Sequence, residues 1–161
     1  MKKIIVASDR AGFPLKEGVK AHLQELGYEV KDVGSTDTGE GGMGYYQAAK
    51  NLEPYVSSGE YERGVLCCGT GMGMSITANK YPNVYAALCE NTFAAHNSRA
   101  VNNANVLCMG GWITPVYTGC AIVDEFLGTE FLDGVTPWQK ENLPKFLEEV
   151  KGVEKANFAE K

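Results

Sequence analysis

Gly64-Val65-Leu66-Cys67-Cys68-Gly69-Thr70-Gly71-Met72-Gly73-Met74-Ser75 decides the fold. Its first five residues form an apolar run of strand length without polar alternation, the pattern of a strand buried on both faces. Three alternate glycines follow, and the chain turns into a helix that the pattern carries through Asn79. Strand, glycine turn and helix make half of a parallel βαβ unit. The same grammar recurs on both sides. Residues 3–7 are a continuous apolar strand, and Gly12 and Pro14 open a helix whose Leu15, Val19, Leu23 and Leu26 keep a three-to-four spacing until Gly27. Residues 28–33 alternate as a more exposed strand, and residues 46–56 read as a helix weakened by Pro54. Two further strand–helix pairs fall at 84–88 with 92–100 and at 105–109 with 116–127, and a last helix spans 137–150. The expectation is an α/β fold: a doubly wound, five-stranded parallel sheet flanked by helices, one domain over 1–152 with a charged tail over 153–161, frayed or docked on a partner.

Composition narrows the function. Fifteen Lys and Arg against twenty Asp and Glu leave a net charge of −5, which argues against broad nucleic-acid binding, since that needs a basic stripe. No apolar run approaches the roughly 18 residues of a membrane span. The start, Met1-Lys2-Lys3-Ile4-Ile5-Val6-Ala7, resembles a signal peptide, but Asp9 and Arg10 interrupt the apolar stretch, so a cytoplasmic location is expected. Five cysteines without a C-x-x-C pair, and only His22 and His96, make neither a disulfide framework nor a zinc site. Most of these thiols are expected to pack as small hydrophobes.

In a doubly wound sheet, ligands bind beyond the carboxyl ends of the strands. Ser8, Asp9 and Arg10 stand there after the first strand, Cys68 and the glycines after the third, Glu90 and Asn91 after the fourth. The glycines let backbone amides converge at a helix start that favours an anion, and a thiol beside it is expected to be activated. Alternation puts Cys67 and Cys68 on opposite faces, and Cys68 adjoins the loop. A P-loop would need a lysine that is absent, and a cysteine phosphatase loop an arginine where Met74 stands. A dinucleotide fingerprint fails at its third glycine, again Met74, although Glu90 sits near the ribose-binding spacing. The long stretch from Gly34 to Gly44 reads as a functional loop.

Val6-Ala7-Ser8-Asp9 with Gly12-Phe13-x-Leu15-Lys16, then Cys68 to Ser75 with Ala78-Asn79-Lys80, resembles the type B ribose-5-phosphate and galactose-6-phosphate isomerase family. Ser98-Arg99, Asn102, Asn103, Asn105-Val106-Leu107, Ile122-Val123-Asp124 and Phe126-Leu127 extend the match over roughly residues 1–134. The resemblance implies a Rossmann-like fold and aldose–ketose isomerisation of a sugar through a cis-enediolate, with no metal and no organic cofactor. It makes Cys68 the proton shuttle between C1 and C2, Thr70 the group handling the hydroxyl proton, and Asp9 a hydroxyl binder. Amides of Gly69, Gly71 and Gly73, with Met72 and Ser75 in the same loop and Asn102 from a neighbouring subunit, would hold the enediolate oxygens. Tyr45 would contact substrate or pack at an interface. The family's sites form between subunits, so a homodimer or homotetramer is expected, clasped by the last helix through Trp138, Leu143, Phe146, Leu147 and Val150.

The departures bear on substrate. Arg10 replaces the family's histidine after the aspartate, and Val101 replaces the histidine that opens the furanose ring. Trp112, Val135 and Gln139 occupy arginine positions of the phosphate pocket, with Lys140 nearby, and Gly44-Tyr45-Tyr46 replaces an Asp-Tyr-Pro element. His96, five residues before Val101, has poor spacing to substitute for the lost acid. The expectation is an isomerase of a short, open-chain sugar that is unphosphorylated or bears a carboxylate. Arg10 would be its clamp, and Trp112 and Trp138 would fill the vacated phosphate site. Two alternatives stay open at this stage: an ordinary pentose or hexose phosphate isomerase with substituted cations, and a sugar-binding subunit without catalysis. Retention of Cys68 and Thr70 weighs against the last.

Overall fold

The structure, a computed structural model, describes residues 2–39 and 42–159. Met1, Glu40, Gly41, Glu160 and Lys161 lie outside the described residues, and with them the middle of the Gly34 to Gly44 loop and the end of the tail. The elements alternate as β1 (Lys3–Ser8), α1 (Phe13–Glu25), β2 (Glu29–Asp32), α2 (Tyr45–Ser57), β3 (Gly64–Cys68), α3 (Met72–Ala78), β4 (Ala86–Leu88), α4 (Thr92–Ala100), β5 (Val106–Gly110), α5 (Val116–Gly128) and α6 (Pro137–Phe158). Every strand pair is parallel, in the order β2-β1-β3-β5-β4.

Position in that order explains the residue patterns. β3 and β5 are interior and buried at every residue, hence their unbroken apolar runs. β2 and β4 are edges, short and half-exposed. Successive strand residues feed opposite layers. Ile4, Val6, Val65, Cys67, Leu107 and Met109 meet Leu15, Val19 and Leu23 of α1 and Ile122, Val123 and Phe126 of α5. Ile5, Ala7, Leu66, Cys68, Val106 and Cys108 meet Ala48, Ala49, Leu52 and Val56 of α2 and Met74 and Ala78 of α3. Pro54 lies inside α2 without ending it.

The C-terminal tail departs from expectation. Residues read as a charged tail continue α6 to Phe158. Thr136 and Gln139 form a reciprocal capping box at its start. Far along it, Glu154 accepts from the Asn83 amide at 2.7 Å and the Tyr85 hydroxyl at 3.2 Å, tying the helix back beside β4. Only Leu143 of α6 is buried, while Trp138, Phe146, Val150 and Val153 stay exposed.

Candidate active site

β1 and β3 are neighbours whose connections leave toward opposite layers, so a crevice opens beyond their carboxyl ends. Ser8 pairs with Cys67, which brings Asp9 and Cys68 out side by side, and the Asp9 amide donates to the Cys67 carbonyl at 3.2 Å. β5 delivers the third wall: Gly111 donates to the Cys68 carbonyl at 2.7 Å and Trp112 to the Gly69 carbonyl at 2.9 Å.

Cys68 is 4% exposed, and its sulfur accepts the Gly71 amide at 3.0 Å. That bond fixes the thiol against the glycine loop. Cys67 points into the other layer, where complete burial pushes its thiol up, the neighbouring Cys68 adding to the effect. Burial also raises Cys108 and Cys89, so neither is suited to act as a base near neutral pH. Burial is the first cause of the raised thiol of Cys120 too.

The loop glycines are needed for close approach. Gly71 has φ +77° at the start of α3, and a methyl there would meet the Leu88 side chain and stand 2.9 Å from the Met109 carbonyl carbon. A methyl on Gly69 would stand 2.8 Å from the Trp112 ring, and one on Gly73 would stand 2.9 Å from the Tyr45 ring. Two aromatic rings therefore flank the loop. Trp112 is 76% exposed, Met72 is exposed, and Thr70 is half-buried with its hydroxyl 3.4 Å from the Met72 amide. Ser75 donates to the Met72 carbonyl at 2.9 Å.

Asp9 accepts the Gly12 amide at 2.8 Å. Burial nevertheless raises its carboxyl above the usual value, outweighing the amides of Gly12 and Ala11 and the Arg10 charge. Arg10 is exposed, with its side chain against Gly42 and its amide donating to Met43 at 3.3 Å.

Asp9, Arg10, Tyr45, Cys68, Gly69, Thr70, Gly71, Met72, Gly73 and Ser75 thus gather at one end of the sheet. Asn102 does not join them within one chain. It precedes β5 and lies at the amino ends of the strands, beyond the length of β3, roughly 13 Å at about 3.3 Å per residue. There it lines a groove with Val101, Leu143 and Phe146. The physical reason is parallel topology, which returns the chain to the same end before each strand. Trp138 packs edge-to-face on Phe146 of α6, with ring centroids 6.1 Å apart. His96 is engaged by Glu125 at 2.9 Å and Thr129 at 3.3 Å. Lys140 sits in the first turns of α6.

The pattern of the Ribose/Galactose Isomerase family matches residues 4–142. The chain belongs to this family. A 4-deoxy-4-sulfo-D-erythrose isomerase of Clostridium sp. (strain MSTE9) is 45% identical over 156 residues, covering 97% of this chain and 98% of that protein. Ribose-5-phosphate isomerase B of Escherichia coli (strain K12) is 38% identical over 134 residues, 83% of this chain and 89% of that one. Among solved structures, ribose-5-phosphate isomerase B of Clostridium thermocellum superposes with a TM-score of 0.87 at 34% identity, covering 96% and 99% of the two chains. Membership makes this chain a sugar isomerase interconverting aldoses and ketoses. Among the described residues no group of three or more His, Cys, Asp or Glu is placed to hold a metal ion, and no helix is long and apolar enough to cross a membrane.

Residues that sequence reading did not single out also shape the site. Lys16 stands in the sequence as one position of the family resemblance, and Ser35 and Met43 belong to no motif. Lys16 lies on the apolar phase of α1 beside Leu15 and Val19, and that placement was the available signal.

Proposed function

We propose that this chain isomerises a short, open-chain, unphosphorylated aldose whose far end carries a single negative charge, a sulfonate or carboxylate. The observation that carries it is the pairing of Val101 at the ring-opening position with a 45% identical relative named for a 4-deoxy-4-sulfo tetrose. A tetrose closes to a furanose through its C4 hydroxyl. With sulfonate at C4 that hydroxyl is gone, the sugar stays open, and no ring-opening acid is required.

Charge supports the same reading. A phosphate monoester carries close to two charges near neutral pH, with a second pKa of about 6, and the family meets them with several arginines. Here Trp112, Val135 and Gln139 hold those positions, and Arg10 stands at the crevice as a single cation suited to a monoanion.

In the reaction, the Cys68 sulfur removes the proton from C2, leaving a cis-enediolate, and returns it to C1. Thr70 carries the hydroxyl proton between O2 and O1, and Asp9 holds a substrate hydroxyl. Glycine-loop amides left without intrahelical partners at the start of α3 face the developing oxyanion. No cofactor takes part.

Two chains complete each site, because Asn102 can stand beside Cys68 only in a neighbouring copy. Exposed Met72, Ile76, Phe93, Trp112 and Tyr117 supply apolar surface for that contact, as does the exposed stripe of α6. Mixing inactive C68A chains with N102A chains is expected to restore activity by rebuilding one intact site per dimer. Failure of mixed chains to regain any activity would show that Asn102 serves its own subunit or none.

Substrate choice is tested by comparing turnover of 4-deoxy-4-sulfo-D-erythrose and D-ribose 5-phosphate by NMR. The expected preference in kcat/KM for the sulfonate sugar is at least about a hundredfold. Efficient conversion of ribose 5-phosphate would instead make the chain a sugar-phosphate isomerase.

A further inference from the structure

Lys16 is 1% exposed, an unusual place for an ammonium. Its nitrogen reaches the Asp32 carboxylate at 2.6 Å, the Glu17 carboxylate at 2.9 Å and the Ser35 carbonyl at 2.7 Å. Two of these contacts are duplicated. Lys20 also holds Asp32, at 2.8 Å, and Glu17, at 2.6 Å. The contact with Ser35 is made by Lys16 alone, so the charge balance of α1 and β2 does not account for burying this side chain.

Ser35 is the knot of the loop after β2. Its amide donates to the Ser8 carbonyl at 2.8 Å, and its hydroxyl accepts the Met43 amide at 3.1 Å. The Met43 carbonyl in turn accepts the Arg10 amide at 3.3 Å, and Gly42 lies against the Arg10 side chain. Between these ends the described bonds are local, Gly39 to Asp37 and Gly42 to Gly39. The loop that crosses Arg10 is therefore joined to the end of β1 through Ser35, whose carbonyl is held by one buried cation, while the Asn51 side-chain amide adds a tie to the Met43 sulfur at 3.5 Å.

We propose that Lys16, acting through Ser35, is a positioning residue for Arg10, setting where the guanidinium stands to receive the anionic end of the substrate. This rests on the reading of Arg10 as the clamp. Gly44 and Tyr45 follow Met43 directly, so the same knot sets the start of α2. A misplaced clamp weakens binding while the distance from Cys68 to the reacting carbons is unchanged, because β3 and the glycine loop share none of these bonds.

The test uses S35A, which removes the acceptor of the Met43 amide, S35T, which keeps it, and K16M, each in the full-length protein. With 4-deoxy-4-sulfo-D-erythrose, S35A is expected to raise KM roughly tenfold, the worth of one hydrogen bond, with kcat within about twofold. K16M does the same or more, and S35T restores the wild-type value. In an R10A background S35A changes KM by less than about twofold, since the residue it positions is gone. An equal effect of S35A in both backgrounds, or none in either, overturns the proposal.

Amide hydrogen exchange supplies a readout free of any substrate. S35A is expected to speed exchange in residues 9–12, 36–39 and 42–44 by about tenfold or more without doing so in β3 or β5. Unchanged exchange there also overturns the proposal. If R10A alone leaves KM untouched, the reading of Arg10 as the clamp fails instead, and if the sugar is not turned over at all, the substrate reading fails. In both cases exchange still decides whether Ser35 holds the Arg10 segment.

Discussion

Replacing Cys68 with alanine is expected to lower kcat by about a thousandfold, in the range that loss of a positioned acid–base group produces. KM should stay within a few-fold, because the sulfur touches the migrating proton and not the far end of the sugar. The fold should survive, since a buried cysteine trimmed to alanine loses one small atom's contacts, about 1 kcal/mol. Cys67→Ala is the matched control. Its side chain lies one residue away in the opposite layer, among Val65, Leu107 and Met109, and kcat should move by no more than about threefold in this variant. Wild-type turnover in heavy water should place solvent deuterium on the product carbon, and C68A should not. Near-normal turnover by C68A would remove Cys68 as the base, and equal losses from both replacements would mean the damage is to packing.

The second large effect concerns stability. Glu53 on α2 is 0% exposed, and neither carboxylate oxygen has a partner among the described residues. It faces the layer of Leu52, Val56 and Cys108, and burial pushes its pKa up to about 8. The unfolded chain titrates this group near its ordinary value of 4.5. Between these values the folded chain holds a proton that the unfolded chain releases, so stability falls as pH rises. At pH 7 the loss is about 3 kcal/mol, at roughly 1.4 kcal/mol per pH unit. Glu53→Met keeps the volume and removes the ionisation. It is expected to raise the thermal midpoint at pH 7 by roughly 6–12 °C and flatten the fall in stability between pH 5 and 8. Parallel stability–pH curves for the two proteins would refute this.

Asp9 has a raised carboxyl too, with burial as the leading cause, and its contribution runs in the same direction. Asp32 is opposite. Burial raises it, but the bonds from Lys16 and Lys20 prevail and hold it below its ordinary value. Its stabilisation is present above the unfolded value of 3.8 and is lost as pH falls through the lower folded one.

Much of the fold was legible because interior parallel strands leave an unmistakable signature. β3 and β5, buried on both faces, read as unbroken apolar runs, and the glycine loop after β3 announced both the turn and the thiol beside it. Edges were harder. β4 is three residues long where five were expected, since an edge strand pairs on one side only. α6 outran its expected end because Glu154 is tied to Asn83 and Tyr85, a long-range bond that local periodicity does not encode. Glu53 keeps step with Ala49, Leu52 and Val56, so its burial was readable from helical phase, though its lack of any partner was not.

By itself the sequence determined the layered α/β class and the family, and it singled out Cys68 among five thiols as the candidate base, because each reading follows from local pattern: apolar run length, glycine spacing and strand alternation. Tertiary structure alone decided the strand order β2-β1-β3-β5-β4, the gathering of Asp9 and Cys68 in register, and the exile of Asn102 to the far end of its own sheet. It also decided that a buried lysine ends on a loop carbonyl and a buried glutamate on nothing. These are meetings between residues distant in the chain. Their energies depend on which elements pack together, and no window of local sequence contains that information.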